Sequence, residues 1–325
     1  MSDERMTASF ISPVEDRLAA VEAHMRLQAE DAHPDLAAAL LHLIDAGGKR
    51  LRPIITILTG ELLGAPPDRL LDLSAAVELL HTATLVHDDL IDGALLRRGM
   101  PTINAGWTPA ATILTGDFIF ARAAKLAAAT GSVAVMDMFA EALTVIVDGE
   151  IRQQFTSKGL ADLDDYYHRI YAKTASLFEL ASGAAAILSP VSSDEREAAR
   201  RFGLEIGMAF QIMDDVLDFS AAQSRLGKPV GSDLRNGLLT LPALLFHEDN
   251  PGDSDIQDLI RRNGHGPGDV DRLVDKIQAS DAINQAVEEA ERYVQRALTL
   301  LDTLPDRPQR EGLEDLARYI VTREH

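Results

Sequence analysis

Helix-type periodicity runs through almost the whole chain and restricts its fold more than any other feature. Apolar residues, mostly Ala and Leu, recur at steps of three and four in the segments 13–30, 35–46, 67–90, 108–129, 133–156, 165–188, 194–219, 237–247 and 280–302. That spacing lines up apolar side chains along one stripe of an α-helix. Alternating runs of Val, Ile and Thr, which are typical of strands, are scarce. The sequence therefore predicts an all-α protein, with a disordered N-terminus over 1–10 and a single domain over 11–325.

An acidic cluster ends the helix that is predicted to start near Pro67. It reads His87-Asp88-Asp89-Leu90-Ile91-Asp92. Positions four apart share a helix face, so the carboxylates of Asp88 and Asp92 project together. Two like charges on one face repel, and the packing of a core helix does not require them. A magnesium ion between them would explain the pattern, because magnesium takes oxygen ligands and keeps open positions for phosphate oxygens.

A second cluster repeats this arrangement with Asp214, Asp215 and Asp218. Its acids lie in the almost wholly apolar segment 210–219, where an unpaired charge is costly. Either cluster alone is compatible with a solvated helix end. Two copies, each after a strongly apolar helix, favour several magnesium ions that clamp a diphosphate.

The string GGKRLRP at 47–53 supplies basic residues after a glycine turn. The backbone N–H groups and the positive dipole at a helix start favour an anion. Lys49 and Arg52, three apart, can share a face. The alternative is a glycine helix cap followed by ordinary surface charge, which is plausible for Arg50.

Further basic residues lie close to both clusters. Arg97 and Arg98 follow the first cluster and either bind phosphate oxygens or neutralise the aspartates directly. Lys173 lies inside an apolar helix, where it either extends to solvent or serves a site. Lys228 falls in a turn-rich loop after the second cluster, and His81 lies two helical turns before the first.

The composition narrows the class of partners and the compartment. The formal net charge is −20, which argues against a general affinity for nucleic acid or anionic lipid. There are no cysteines, so disulfides and thiolate metal sites are excluded and a reducing compartment is favoured. No apolar run reaches the roughly 20 residues that span a bilayer. We expect a cytoplasmic protein without a stable membrane anchor, since its polar N-terminus is unlike a signal peptide.

Together the strings resemble the polyprenyl synthetases, the trans-isoprenyl diphosphate synthase family. The matching strings occur in family order: GGKRLRP at 47–53, HTATLVHDDLID at 81–92, RRGMPT at 97–102, GD at 116–117, KTA at 173–175, FQIMDDVLDF at 210–219 and GKPVGSDLRNGLLTLP at 227–242. The resemblance implies the isoprenoid synthase fold, a bundle of largely antiparallel helices around a deep central cavity, usually in a homodimer. It also implies condensation of isopentenyl diphosphate with an allylic diphosphate, head to tail, to an all-trans polyprenyl diphosphate.

The resemblance also implies a role for each matching residue. Magnesium ions would be held by Asp88, Asp92 and Asp214, supported by Asp215 and Asp218. The allylic diphosphate would be bound by Arg97, Lys173 and Lys228, and isopentenyl diphosphate by Gly48, Lys49, Arg52, His81 and Arg98. The catalytic residues would be Lys173, Thr174 and Gln211, the last two presenting oxygen dipoles to the allylic cation. The chain departs from the family pattern at Leu238 or Leu239, where many relatives have a lysine that contacts the allylic diphosphate. Gly93 also replaces a usual acidic residue.

Product length is expected to depend on residues one or two turns before the first cluster. By resemblance to the family, bulky aromatics there accompany short products. Here Ala83, Thr84 and Leu80 occupy these turns, which favours a long tunnel and a product of geranylgeranyl length or longer. A floor from another helix is the alternative, and the candidate residues are Met136, Met138, Phe139 and Leu143.

Three other functions compete with this interpretation. Terpene cyclases share the first acidic motif but need no GGKRLRP, and their second motif usually mixes Asn, Ser or Thr with acids. A di-iron bundle would use Glu78-x-x-His81, yet it needs a second such element, and none occurs in a comparable helix. A non-catalytic partner subunit would be expected to have degraded acidic clusters. The allylic starter, the final chain length and a homo- or heteromeric assembly stay open.

Overall fold

The computed structural model describes residues 9–97, 99–155, 162–220, 230–262 and 267–323, and helices dominate it. The helices are α1 Glu15–Leu27, α2 Pro34–Asp45, α3 Leu51–Leu63, α4 Pro67–Ile91, α5 Ile103–Gly106, α6 Pro109–Ala129, α7 Val133–Phe155, α8 Leu163–Ile170, α9 Ser176–Ile187, α10 Ser193–Leu217, α11 Ser232–Arg235, α12 Leu241–Asp249, α13 Ser254–Arg262, α14 Pro267–Ala279, α15 Ala282–Leu301 and α16 Pro308–Thr322. A 3₁₀ turn, Ser12–Val14, precedes α1, and a five-residue π-helical stretch, Tyr171–Ala175, joins α8 to α9. We call this stretch the π segment. The prediction of an all-α fold is confirmed.

One small hairpin interrupts the helices between α4 and α5. Its strands, β1 (Leu96–Arg97) and β2 (Met100–Pro101), pair antiparallel, with Leu96 opposite Pro101 and Arg97 opposite Met100. The hydroxyl of Thr102 and the side-chain amide of Asn104 both donate to the carbonyl of Ala94, at 2.7 and 3.0 Å. These two bonds close the base of the hairpin and fix Arg97 beside the end of α4.

Local sequence signals explain where the long helices begin and end. Ser192 and Glu195 form a capping box at the start of α10, each accepting a backbone N–H of the other, which typically contributes about 1 kcal/mol. Pro67 and Pro109 occupy the first positions of α4 and α6, where a missing N–H costs nothing. Gly64 ends α3 with φ of 84°, a left-handed conformation that glycine adopts without strain.

Helices α4, α9 and α10 form the centre of the molecule. Every residue of α9 from Ser176 to Ala186 is buried, which fits a helix that is apolar on all sides. Gly207 of α10 lies so close to the π segment that an added Cβ would be 2.5 Å from the Cα of Ala175. The close approach brings the last two turns of α10 against the π segment and so positions the second acidic cluster.

The N-terminal boundary differs from the prediction. Phe10, which we expected in the disordered segment 1–10, is fully buried, and its ring centroid lies 5.3 Å from that of Tyr319. Phe10 is buried through its aromatic contact with α16, although the sequence pattern does not place it in a predicted helix. Residues 1–8 lie outside the described part of the chain. Within the part that is described, no helix has the length and apolar character of a membrane span.

Candidate active site

The first acidic cluster occupies the final turn of α4, where Asp92 is the C-terminal cap. Helix dipoles are negative at this end, so carboxylates here are unfavourable without a nearby cation. Asp88 is largely buried, and burial raises its pKa to about 6, with the neighbouring charges of Glu150 and Asp92 adding to the effect. The ion-pair partner of Asp88 in the described part of the chain is Lys173, whose Nζ lies 3.7 Å from Oδ2. Within the described ranges, the cluster therefore carries more negative charge than nearby cations neutralise.

Asp89, the middle aspartate of the cluster, forms an ion pair with Arg97 of the hairpin. Arg97 Nε donates to both carboxylate oxygens of Asp89, at 2.9 and 3.1 Å, and a terminal nitrogen approaches to 2.8 Å. Asp89 is only 4% exposed, so its carboxylate is buried against this arginine. Arg97 thus lies at the cluster as predicted, paired with an aspartate, and its contact with an allylic diphosphate stays a prediction. Arg98 lies outside the described residues.

Lys173 projects from the π segment between two carboxylates. Its Nζ donates to Glu150 Oε1 of α7 at 3.0 Å, a shorter contact than the one to Asp88. Burial lowers the pKa of Lys173, but the carboxylates of Asp88 and Glu150 more than offset this, so its pKa is raised. Lys173 is therefore charged, as a ligand for phosphate must be. Glu150 was not predicted as a site residue, although a carboxylate directly after Gly149, inside an apolar helix, indicates a special position.

Thr174 points from the π segment to the second cluster. Its hydroxyl donates to Gln211 Oε1 at 2.6 Å, and Gln211 Nε2 donates to Asp215 Oδ1 at 2.9 Å. The hydroxyl of Tyr166 donates to the other oxygen of Asp215 at 2.8 Å. Burial raises the pKa of Asp215 to about 7, against the opposing effect of these hydrogen bonds from Gln211 and Tyr166. The structure thus joins the two predicted catalytic residues Thr174 and Gln211 directly, and buried Asp215 holds Gln211 from its other side.

Asp214 is bound by a residue near the C-terminus. A terminal nitrogen of Arg323 donates to Asp214 Oδ1 at 2.5 Å and to the carbonyl of Phe210 at 2.9 Å. The guanidinium carbon lies 4.1 Å from the centroid of the Phe210 ring, and Arg323 is 3% exposed. Sequence reasoning missed Arg323, which lies 109 residues from its partner.

Asp218 holds the chain that follows the second cluster. It accepts from the Ser232 hydroxyl at 2.7 Å and from the backbone N–H groups of Ser232 and Asp233 at 3.2 and 3.0 Å. These contacts cap the short helix α11. Asp215 and Asp218 are therefore both engaged by protein donors, and their support of metal binding stays a prediction. Lys228 lies outside the described residues.

The glycine turn before α3 separates the basic side chains of GGKRLRP. Arg50, with φ of 49°, turns to Glu22 and Glu78, at 2.9 and 3.0 Å, so it is a structural residue. Lys49 Nζ instead donates to the Tyr319 hydroxyl at 2.7 Å. The guanidinium of Arg52 lies 4.8 Å from the centroid of the Phe178 ring. Lys49 thus contacts α16, and Arg52 contacts α9.

A cavity of about 50 Å³ connects this turn with the first cluster. Its lining includes Gly47, Glu78, His81 and Arg97. His81 therefore lines the same cavity as the glycine turn and the hairpin. Its contact with isopentenyl diphosphate stays a prediction. Gly48, which the prediction assigns to the same substrate, follows Gly47 in the exposed turn.

The residues expected to set product length lie on the buried face of α4. Leu80 and Ala83 have no exposed surface, and Thr84 is 9% exposed. The Thr84 hydroxyl donates to the carbonyl of His81 at 2.8 Å, so it is satisfied within its own helix. The tunnel itself stays a prediction.

The carboxylates of the two clusters suit magnesium better than they suit a metal whose ligands all come from the protein. Among the described residues, no three His, Asp or Glu side chains converge as a metal cage would require. Magnesium typically takes one or two carboxylates and completes its shell with water and substrate phosphates. Asp88 and Asp92, with surplus charge at a helix end, and the partly exposed Asp214 match that preference.

Comparison with known proteins agrees with this geometry. The family model described as polyprenyl synthetase matches residues 33–277. The octaprenyl diphosphate synthase of Escherichia coli (strain K12) is 35% identical over 87% of this chain and 88% of its own. Component 2 of the heptaprenyl diphosphate synthase of Geobacillus stearothermophilus is 37% identical over 98% of both chains. A polyprenyl synthase from Caulobacter crescentus CB15, solved with calcium and isoprenyl diphosphate, superimposes with a TM-score of 0.90 at 37% identity, covering 98% of both chains. The chain belongs to the polyprenyl synthetase family.

Proposed function

We propose that this chain is a magnesium-dependent trans-prenyltransferase. It condenses isopentenyl diphosphate with an allylic diphosphate, head to tail, releases diphosphate and yields an all-trans polyprenyl diphosphate of geranylgeranyl length or longer. The observation that carries this proposal is the position of the π segment between the two acidic clusters. Lys173 contacts Asp88 of the first cluster and Thr174 contacts Gln211 beside the second, so adjacent residues serve the departing diphosphate and the cation left behind.

The chain's own residues bind and orient the reactants in this proposal. Asp88, Asp92 and Asp214 hold the magnesium ions, which when bound neutralise the charge that develops on the departing diphosphate. Lys173, Arg97 and Lys228 bind the same diphosphate, while Lys49, Arg52 and His81, with Gly48 and Arg98, bind isopentenyl diphosphate. Buried Asp215 holds Gln211, which keeps the Gln211 oxygen beside the Thr174 hydroxyl. The condensation then loses a proton, for which the released diphosphate is the acceptor, and no protein nucleophile is needed.

A product assay tests the proposal. Purified protein is incubated with magnesium, labelled isopentenyl diphosphate and, separately, dimethylallyl, geranyl, farnesyl or geranylgeranyl diphosphate, and the dephosphorylated products are sized by chromatography. We expect elongation that EDTA abolishes and excess magnesium restores. Cyclised hydrocarbon without elongation would support the terpene cyclase alternative. A folded protein that extends none of the four starters would support the partner-subunit alternative.

The product length is a separate part of the proposal. The octaprenyl and heptaprenyl synthases among the relatives, and the small residues before the first cluster, favour a chain well beyond geranylgeranyl. Ala83→Phe fills the turn before Asp88 and should shorten the product. An unchanged product distribution would contradict a tunnel along this face of α4.

We also propose a cytoplasmic homodimer. Ile113 and Leu114 of α6 and Val147 and Ile151 of α7 are between 47 and 63% exposed, an apolar surface that a second copy would cover. Light scattering during gel filtration should give twice the chain mass. Because one relative is named as a component, an inactive monomer that gains activity with a second, different chain would indicate a heteromer instead.

A further inference from the structure

The π segment rests directly on the backbone of α7. At the contact, Gly149 of α7 faces Ala172, and a Cβ added to Gly149 would lie 2.5 Å from the Cβ of Ala172. Real side-chain carbons do not approach so closely, so any residue larger than glycine would push the π segment away. Gly149 therefore sets the distance between α7 and the backbone around Ala172.

The next residue on each side forms a polar contact. Glu150 follows Gly149, Lys173 follows Ala172, and their side chains meet at 3.0 Å. The Glu150 side chain is 17% exposed and the Lys173 side chain 38% exposed, so the carboxylate is the more shielded partner. One backbone contact and one charged hydrogen bond, on consecutive residues, thus hold Lys173 in place.

This arrangement is costly unless it serves the site. Glu150 adds a third carboxylate to the region of Asp88 and Asp92, where negative charge is already in surplus. π-helical turns are rare and frequently occur at functional sites, so a five-residue example needs support from its neighbours. Helix packing alone would be satisfied by an apolar residue at position 150.

We propose that Gly149 and Glu150 form the docking site that sets the position of Lys173, with Glu150 acting as a positioning residue for binding of the allylic diphosphate. The inference rests on the proposed function, in which Lys173 contacts that diphosphate. Glu150 restrains the long lysine side chain before substrate arrives, so less conformational freedom is lost on binding. The contact leaves Lys173 only 3.7 Å from Asp88 and thus beside the metal-binding carboxylates.

Steady-state kinetics of Glu150→Ala and Glu150→Gln test the role of the carboxylate. We expect Glu150→Ala to raise the KM for the allylic diphosphate about tenfold and the KM for isopentenyl diphosphate less than twofold, the loss expected for one charged hydrogen bond. Glu150→Gln keeps an oxygen acceptor for Lys173 and should recover most of the loss. Asp148→Asn, on the same helix but in an exposed pair with Arg152, is the matched control and should behave as wild type. An unchanged or lower allylic KM, or an equal rise in both KM values with a lower Tm, would overturn the inference.

A double-mutant cycle separates this inference from the proposed function. Lys173→Ala should raise the allylic KM, and adding Glu150→Ala to it should have no further effect, because the two residues act as a unit. If Lys173→Ala raises the KM and Glu150→Ala does not, only the inference fails. If Lys173→Ala leaves the KM unchanged in an active enzyme, the diphosphate role of Lys173 fails and the inference with it.

Gly149→Ala tests the backbone contact. The added methyl should displace the π segment and raise the allylic KM several-fold, while circular dichroism and Tm report whether the chain stays folded. Gly106→Ala is the matched control, because a Cβ there meets no atom within 4 Å. Wild-type kinetics in a folded Gly149→Ala protein would contradict docking through this residue.

Discussion

The two acidic clusters share the sequence pattern Asp-Asp-x-x-Asp, and each begins in the last turn of a long helix. The partners of their carboxylates nevertheless differ. In the first cluster, among the described residues, Asp88 has a lysine at 3.7 Å as its ion-pair partner, and Asp92 is exposed. In the second, Asp214 is bound by Arg323 at 2.5 Å and Asp218 accepts three hydrogen bonds. The first cluster has surplus charge, whereas the second is largely satisfied by the protein.

The two clusters are alike in the burial and hydrogen bonding of their middle aspartates. Asp89 and Asp215 are each 4% exposed, and each is held by protein donors, Arg97 for the former and Gln211 with Tyr166 for the latter. A buried carboxylate that anchors a neighbouring side chain already uses part of its capacity to accept hydrogen bonds. We therefore expect two functions within one motif: the outer aspartates of the first cluster would attract cations, and the middle aspartates would position the residues around them.

The largest expected effect distinguishes these two functions. Asp88→Asn removes a carboxylate from the charge-rich cluster, and we expect kcat/KM to fall by a factor on the order of 10² to 10³, since several kcal/mol of transition-state stabilisation depend on such ligands. The magnesium concentration for half-maximal activity should rise as well. Asp215→Asn, which acts through Gln211, should lower kcat/KM by about tenfold and leave the magnesium requirement nearly unchanged. Equal losses in both variants would contradict the division.

A smaller effect is expected at Arg323, whose contact with Asp214 makes the second cluster different from the first. Arg323→Ala leaves Asp214 without its partner, and loss of such an orienting contact to a metal ligand typically costs about 10- to 100-fold in metal affinity or activity. Magnesium titration of the rate should report it. Arg318→Ala, in an exposed pair with Glu314 on the same helix, serves as the control. If the two substitutions behave alike, Arg323 does not orient Asp214.

The difference between the clusters could not have been predicted from the sequence. The helices and both acidic clusters follow from local periodicity and from strings whose residues lie close together in the chain. The roles of the residues around Lys173 are implied only by the family resemblance and stay predictions. Arg323, Tyr319 and Tyr166 become partners of the site only through packing between distant helices. The family model ends at residue 277, so Tyr319 and Arg323 lie beyond the segment that this model matches.

Charge effects of burial are equally invisible in the sequence. Asp88 and Asp215 look alike in a motif, and their raised pKa values, about 6 and about 7, depend on how completely the surrounding helices exclude water. Phe10 gives the same lesson for apolar residues, because its burial depends on the C-terminal helix rather than on its neighbours in the chain.

The smallest expected effect is a pH dependence of stability that comes from Asp215. Its pKa is about 7 in the folded protein against an ordinary value of 3.8, so the folded state holds the proton more tightly than the unfolded chain does. The stability this contributes is complete below about pH 4 and is lost as the pH rises to about 7. Asp215→Asn removes the titration and retains partners for Tyr166 and Gln211, because the tyrosine hydroxyl can rotate to accept from the new amide.

In EDTA, the Tm of Asp215→Asn relative to wild type should therefore rise between pH 4 and pH 7.5, by about 2–5 °C. Asp148→Asn, which removes an exposed carboxylate of α7, is the control measured over the same pH range. A Tm difference for Asp215→Asn that is independent of pH would mean that the carboxylate ionises freely in the folded state. The second cluster would then carry surplus charge like the first, and the contrast between the two clusters would be lost.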